Sequence, residues 1–536
     1  MSRTRSILFA ITLACVAALS ALPAAAAQNS LVFSFETEIP SLDPQKSNAA
    51  PSFTVEAHIF ENLIRRVDGK TTPGAAERWE TSADGLTITF HLRESKWSDG
   101  KPVTAHDFEL AFIRLLDPKT ASEYAFALYY LVGAEDYNLG KITDPSKIGV
   151  KAVDDRTLVL TLRSPTPYFI GFLGHPSFAP VRKDIIEKFG ESYATEADRA
   201  VYNGPFVLSE WKHEQTMVFT KNQSYWNAGA IKLERAEIMI IPDTATALSM
   251  FENGEFDLVD IPPNLYKMYQ EQGKAKLFFN GALDWMKFNL RPNPKKPWLA
   301  NENFRKAVGW AINRESYTLA STKGLYVPAL RFILPITQGV SEPYGQEYPL
   351  DFYSPKGDAA KAREFLAKAL ADLKLKASDI TMEYLIQDQE ETRLMAETLQ
   401  QQIQNALGIN VKIKLVTRMQ RTQLEANGGF DAVYSGWMPD YDDPMSYEEI
   451  WLSGVSHNSA KYSSAEYDKF VRAAMSEKDA KKRMDLIFEA EKQILDDAPL
   501  VPLQLRRKAW MSKPNLRGFY RPLIGAEYDF TYAYFE

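Results

Sequence analysis

The chain has 536 residues, 24% of them charged, with a formal net charge of −7 and a single cysteine. An acidic balance of this kind argues against nucleic acid or anionic lipid as a partner, because either would repel the surface as a whole. The length predicts several domains and an apolar core large enough to stand without disulfides.

The first element in chain order is an export leader. Arg3 and Arg5 form a basic start, Ile7 to Leu22 an apolar core, and Ala25-Ala26-Ala27 a small-residue cleavage site before Gln28. Cys15 lies inside that core, with Val16 to Leu22 continuing past it, so cleavage after the alanines is favoured over lipidation at Cys15. Residues 1–27 therefore read as a removed signal peptide. The mature chain keeps no cysteine and loses two basic charges. No later apolar run approaches the ~20 residues that a membrane helix needs.

Beyond the leader, strand and helix patterns alternate. An Asp84-Gly85 turn leads into a half-buried strand, in which Leu86, Ile88, Phe90 and Leu92 alternate with Thr87, Thr89, His91 and Arg93. Trp97-Ser98-Asp99-Gly100-Lys101-Pro102 turns the chain. Thr104 then caps a helix whose Phe108, Ala111, Phe112 and Leu115 form one stripe. Leu158, Leu160 and Leu162 mark a strand after Asp154-Asp155. Thr244 to Asn253 reads as a helix stopped by Gly254, and Phe256 to Val259 as a strand. Pro292, Pro294 and Pro297, with Lys295 and Lys296, predict a surface loop, as does the stretch from Pro335 to Pro355. Residues 358–372 and 389–407 are amphipathic helices. The second ends at Gly408, before a strand carrying Val411, Ile413 and Leu415. The pattern is mixed α/β with no internal repeat.

Enzyme signatures are missing. The six histidines, at 58, 91, 106, 175, 213 and 457, form no His-Glu-x-x-His or other close metal-binding pair, and neither a Gly-x-Ser-x-Gly elbow nor a P-loop occurs. A calcium loop starting at Asp440 would need Gly and Glu where Met445 and Trp451 stand.

The most suggestive stretch is Gly436-Trp437-Met438-Pro439-Asp440-Tyr441-Asp442-Asp443-Pro444. It follows an extended run with Phe430, Ala432 and Tyr434 on one face and Asp431 and Val433 on the other. An indole and three carboxylates after a strand suit an extended ligand that carries an amine.

Several ordered blocks resemble the periplasmic oligopeptide-binding proteins, solute-binding protein family 5, the receptors of ABC peptide importers. They are Ser41-Leu42-Asp43-Pro44-Gln45-Lys46, Ala76-Glu77-Arg78-Trp79, Lys96 to Phe108, Tyr202-Asn203-Gly204-Pro205-Phe206, Lys221-Asn222-Gln223-Ser224-Tyr225-Trp226, and Gly436-Trp437 with Asp440-Tyr441. The resemblance implies an α/β, bilobate periplasmic binding protein fold of the large peptide-binding subclass, two lobes with a hinge plus an extra domain. The implied divisions are 28–60, 185–281 and 507–536 for lobe I, 61–184 for the extra domain and 282–506 for lobe II. It further implies a periplasmic monomer that takes short peptides without chemical change, needs no cofactor and docks on an inner-membrane permease.

In such a receptor the ligand lies as a strand between Asn48-Ala49-Ala50 and Ser435-Gly436-Trp437-Met438. Backbone pairing of that kind implies broad specificity, and Asp440 would hold the α-ammonium. Trp437 is the candidate wall, while Asp442 and Asp443 read as turn caps that solvate the loop before Pro444. The chain departs from the family at the far end of the ligand. The positions of the basic carboxylate grip match Thr392, Glu425 and Tyr434, with Arg393 and Arg418 as nearby substitutes; the family's disulfide positions match Ala282 and Met438. That loss keeps open a second ligand class on the same fold, such as a murein peptide, an opine, a metal chelate or a haem. An exported hydrolase is the rival from another class.

Overall fold

The computed structural model describes residues 29–67 and 70–536, so the leader and Cys15 lie outside the described residues. Three sheets organise the chain. The first runs in the order Ser30–Phe35, Arg235–Ile240, Thr216–Lys221, Phe206–Lys212, parallel at the first pair and antiparallel thereafter. Leu31, Phe33 and Phe35 alternate inward from its edge strand, following the period of two that a one-sided sheet requires.

The extra four-stranded sheet is wholly antiparallel, in the order Ala76–Thr81, Thr87–Leu92, Thr157–Thr161, Val150–Asp154, so its last two strands are swapped relative to the chain. Helix Ala105–Leu116 packs on it. Thr104 and Asp107 form a capping box, in which the Asp107 carboxylate accepts from the Thr104 backbone N–H at 2.8 Å. Phe108, Ala111, Phe112 and Leu115 are fully buried, as the stripe predicts. Burial of each large side chain contributes about 1.5–3 kcal/mol.

The largest sheet is built on two 13-residue antiparallel strands, Lys276–Phe288 and Leu500–Ser512. At one end Leu500–Ser512 pairs with Leu258–Ile261. At the other, Lys276–Phe288 pairs with Ala432–Trp437, followed by the parallel strands Thr381–Gln387 and Asn410–Val416. Between these ends the register slips, from Phe279 to Leu283. Gly281 lies inside the slip at φ +78°, a left-handed conformation natural to glycine. Helices Glu302–Ala311, Ala359–Leu373 and Glu390–Leu407 cover this sheet around a separate core that includes Met286, Phe304 and Leu399.

Two expected strands differ in detail. The strand after Gly254 is Leu258–Ile261, two residues later than its apolar run suggests. Asp257 is engaged in bonding to the first sheet instead, accepting from Val32 N at 2.6 Å and donating to Val32 O at 2.7 Å. In Asn410–Val416 only Val411 is deeply buried and Leu415 is 39% exposed, because the strand forms the sheet's edge.

Phe112→Ala is expected to destabilise the extra domain by about 3–5 kcal/mol, through lost burial and an unfilled cavity. Phe126→Ala, at a side chain that is 42% exposed, should change little. Urea denaturation read by tryptophan fluorescence checks both; equal effects would remove the helix stripe from the domain's core.

Candidate functional site

The strand Ala432–Trp437 carries the site. On one side it pairs with Lys276–Phe288, setting Leu283 opposite Trp437, Asp284 opposite Gly436 and Trp285 opposite Ser435. On the other side its partner strand Thr381–Gln387 pairs only with Ala432 and Val433. Among the described residues, the second edge of the strand beyond Val433 therefore has no neighbouring strand. Free N–H and C=O groups on such an edge are a template for an extended chain.

Gly436 fits this position for a steric reason. A β-carbon there would stand 2.5 Å from Asp284 Oδ1 and 2.8 Å from Leu283 O. Ser435 is buried and donates to Glu425 Oε1 at 3.1 Å. Trp437 is half-buried, edge-on to the His457 ring at 5.6 Å, and Met438 is 51% exposed.

Asp440 is half-buried, and its backbone N–H donates to Ser446 Oγ at 3.2 Å. Its carboxylate has no hydrogen bond or ion pair among the described residues. Burial alone pushes its pKa up to about 6. It borders a cavity of about 80 Å³ where three parts of the molecule meet, with His175 and Phe172 from the extra domain and Tyr520 and Ile524 from the C-terminal segment. Burial pushes His175 down to about 3, so it is neutral.

The neighbouring carboxylates correct the sequence reading, because they pin the turn instead of solvating it. Asp443 takes two 2.7 Å hydrogen bonds from Arg483 and a third from Met445 N at 2.9 Å. The Arg483 side chain is 4% exposed. Asp442 pairs with Arg66 at 2.5 Å and accepts from Gln338 N. Between them Tyr441 stacks on Tyr168, with ring centroids 5.3 Å apart, and donates to Glu449. Tyr130 of the extra domain donates to the same carboxylate, which burial pushes up to about 7. The turn that presents Asp440 is thus bolted in place by Arg66, Tyr168 and Arg483.

The segment Asn48 to Ala50 is extended only in part. Ala49 is extended, but Ala50 opens the helix Ala50–Ile59, because Pro51 in the first turn has a φ suited to a helix start. Asn48 is exposed and donates to Glu123. Neither cavity described here is lined by any of the three.

A larger cavity of about 440 Å³ opens beside Ser435–Met438. Its floor contains Asp284, which is fully buried and gripped by Arg506 through two nitrogens, at 2.8 and 2.9 Å, and by Gln504 Nε2 at 2.9 Å. Sequence reasoning missed this group, since Asp284 and Arg506 lie 222 residues apart and no local pattern links them. Of the three positions where the family's basic grip falls, none supplies a free cation. Thr392 donates to Gln387 O, Glu425 takes Lys287 and Ser435, and the Tyr434 carbonyl accepts from Arg421 at 2.8 Å. Arg393 is tied to Asp388 and does not line the cavity, whereas Arg418 does. Ala282 and Met438 both line it, next to the paired Leu283 and Trp437.

Residues 70–459 match the bacterial extracellular solute-binding proteins, family 5 middle. The chain belongs to that family. It is 33% identical over 498 residues to the dipeptide-binding protein DppE of Bacillus subtilis, across 91% of this chain and 89% of DppE. Among solved structures, Listeria monocytogenes OppA bound to peptide aligns over 95% of this chain and 99% of its own, at 30% identity and a TM-score of 0.73. The unliganded open form of the murein tripeptide binding protein MppA is less identical, at 27%, yet superposes better, with a TM-score of 0.82 over 95% of this chain and 98% of its own. The family fold is thus the two-lobed α/β receptor with an extra domain.

Asp443→Asn is expected to cost about 3 kcal/mol in stability, because it weakens the anchor of a buried guanidinium. Thermal unfolding of this variant beside the parent checks it; an unchanged midpoint would return Asp443 to the role of a solvated loop residue.

Proposed function

We propose that this chain is the extracytoplasmic receptor of an ABC importer, closing its lobes on short peptides and passing them unchanged to a membrane permease. The observation that carries the reading is the unpaired Asp440 carboxylate beside a strand whose second edge has no neighbouring strand beyond Val433. An extended chain with a free amine supplies what both lack, backbone partners for the edge and a cation for the carboxylate. Two relatives whose names or titles refer to peptides, DppE and peptide-bound OppA, support the ligand class.

On this reading the chain is exported by residues 1–27 into the periplasm, acts as a monomer and performs no chemistry. The lobes divide near 281/282 and 506/507, where the long strands slip register, and the slip is the hinge. Among the described residues no helix is long and apolar enough to cross a membrane, and no group of three or more His, Cys, Asp or Glu is placed to hold a metal ion.

The test is the amine anchor. In the closed cleft, carboxylate and ammonium are both desolvated, and removal of one strands the other at about 3–5 kcal/mol. Asp440→Asn should weaken free-amine tripeptides to pentapeptides by roughly two to three powers of ten. Acetylation of the peptide should cost the parent as much and the variant little more. Titration calorimetry reads both, and undiminished binding of free-amine peptides by Asp440→Asn would end the anchor role.

The pH dependence follows with a definite sign. Burial holds Asp440 near 6, so below that pH the empty site carries a proton that must leave before an ammonium can pair. The peptide amine, with an ordinary pKa of ~8, stays charged throughout. Affinity should therefore fall toward acid, approaching tenfold per pH unit below about 6, and Asp440→Asn should flatten the profile. Calorimetry between pH 5 and 7.5 would show it; a parent profile as flat as the variant's would contradict it.

A further inference from the structure

We infer that Glu449 is a second, proton-carrying carboxyl of the amine site, which gives its proton to solvent when a ligand's ammonium pairs with Asp440. The inference rests on the peptide-receptor reading and adds to it how the site regulates its hold on the ligand.

The charges of the turn lead there. Arg66 and Arg483 pair with Asp442 and Asp443, which leaves Asp440 and Glu449 without a cation among the described residues. One ligand ammonium can answer only one of the two. Asp440 borders the cavity of about 80 Å³ and Glu449 does not, so the ammonium falls to Asp440. For Glu449 the available counter-charge is a proton.

Its surroundings suit a group that changes charge. Tyr441 donates to Glu449 Oε1 at 2.8 Å, and Tyr130 donates to Oε2 at 2.9 Å. Two phenols hold a carboxylate by donating to it, and hold a carboxylic acid when one hydroxyl turns to accept. The other ionisable groups that act on Glu449 or respond to it are Asp440 and Asp443 on its own turn and Tyr168 beside Tyr130. Arg483, on the helix Ala480–Asp497, is spent on Asp443, and the neighbouring Glu448 turns away to Tyr467. Burial pushes Glu449 up to about 7; the two hydroxyls oppose that rise, and the charges of Asp440 and Asp443 add to it.

The charge of Asp440 makes the coupling. A ligand ammonium beside Asp440 offsets its field at Glu449, so the Glu449 carboxyl becomes more acidic and sheds its proton near neutral pH. The linkage is reciprocal. A proton on Glu449 favours the empty site, and its loss as pH rises strengthens the hold on the ligand.

The experiment counts protons. Titration calorimetry of one free-amine tetrapeptide at pH 6.5, in phosphate and in imidazole, gives the protons released per peptide bound, because the two buffers differ in ionisation enthalpy. Asp440 and the peptide amine contribute in parent and in Glu449→Gln alike, so the difference between the two proteins isolates Glu449. The parent should release roughly a quarter to a half of a proton more than Glu449→Gln. Tyr130→Phe removes a hydroxyl that favours the charged carboxylate, so in that variant the extra release should persist and move to higher pH. A contact with a structural role alone would leave the pH of the release where it is. Equal release by parent and Glu449→Gln, or a release in Tyr130→Phe that stays at the parent's pH, would overturn the role of Glu449, while binding of the peptide would leave the receptor reading intact. No binding of any tetrapeptide by the parent would overturn both.

Discussion

A carboxylate partly shielded from water without a cation is a standing cost to the fold, and Asp440 is held in that state by its surroundings. Burial raises its pKa to about 6, and no charged group among the described residues offsets the shift. The turn cannot relax outward to hydrate it. Arg483 clamps Asp443, Arg66 holds Asp442, and Tyr441 is wedged against Tyr168 and Phe172. These contacts tie a turn that follows the large sheet to the extra domain. The consequence is a preorganised, unpaired anion, which on the proposed reading takes its partner from the ligand.

The larger cavity applies the opposite rule. There the buried charges are satisfied internally, Asp284 by Arg506 and Gln504, Glu425 by Lys287. Internal pairing fixes the walls. The strand that borders this cavity has no neighbouring strand on its second edge beyond Val433, and it leads into the turn that carries the unpaired Asp440. On the proposed reading this edge pairs with the backbone of the ligand and so is indifferent to its side chains.

Much of this was legible wherever the determinant is local. The Phe108–Leu115 stripe, the Thr104 cap and the helices near 358–372 and 389–407 follow from periodicity and capping within a few residues, and the structure places them within a residue of expectation. The turn at Asp440 was legible through its resemblance to a family, not through its composition, which pointed equally to three carboxylates. What separates them is tertiary: Arg483 lies 40 residues from Asp443 and Arg66 lies 376 from Asp442. No local pattern carries such pairs. The helix at Ala50 is a different kind of miss, since Pro51 is a recognisable first-turn residue and an extended segment was nevertheless expected through Ala50.

The central claim is that Asp440 waits for an ammonium group, and the most direct measurement is the titration of that one carboxyl. Carbon-13 NMR of protein labelled at aspartate carboxyls, with the resonance assigned by its loss in Asp440→Asn, would follow it with and without a saturating tetrapeptide. The account predicts a pKa near 6 in the free receptor. On binding it should fall below the ordinary carboxylate value of ~3.9. A carboxyl that titrates at the same pH in both states would contradict it.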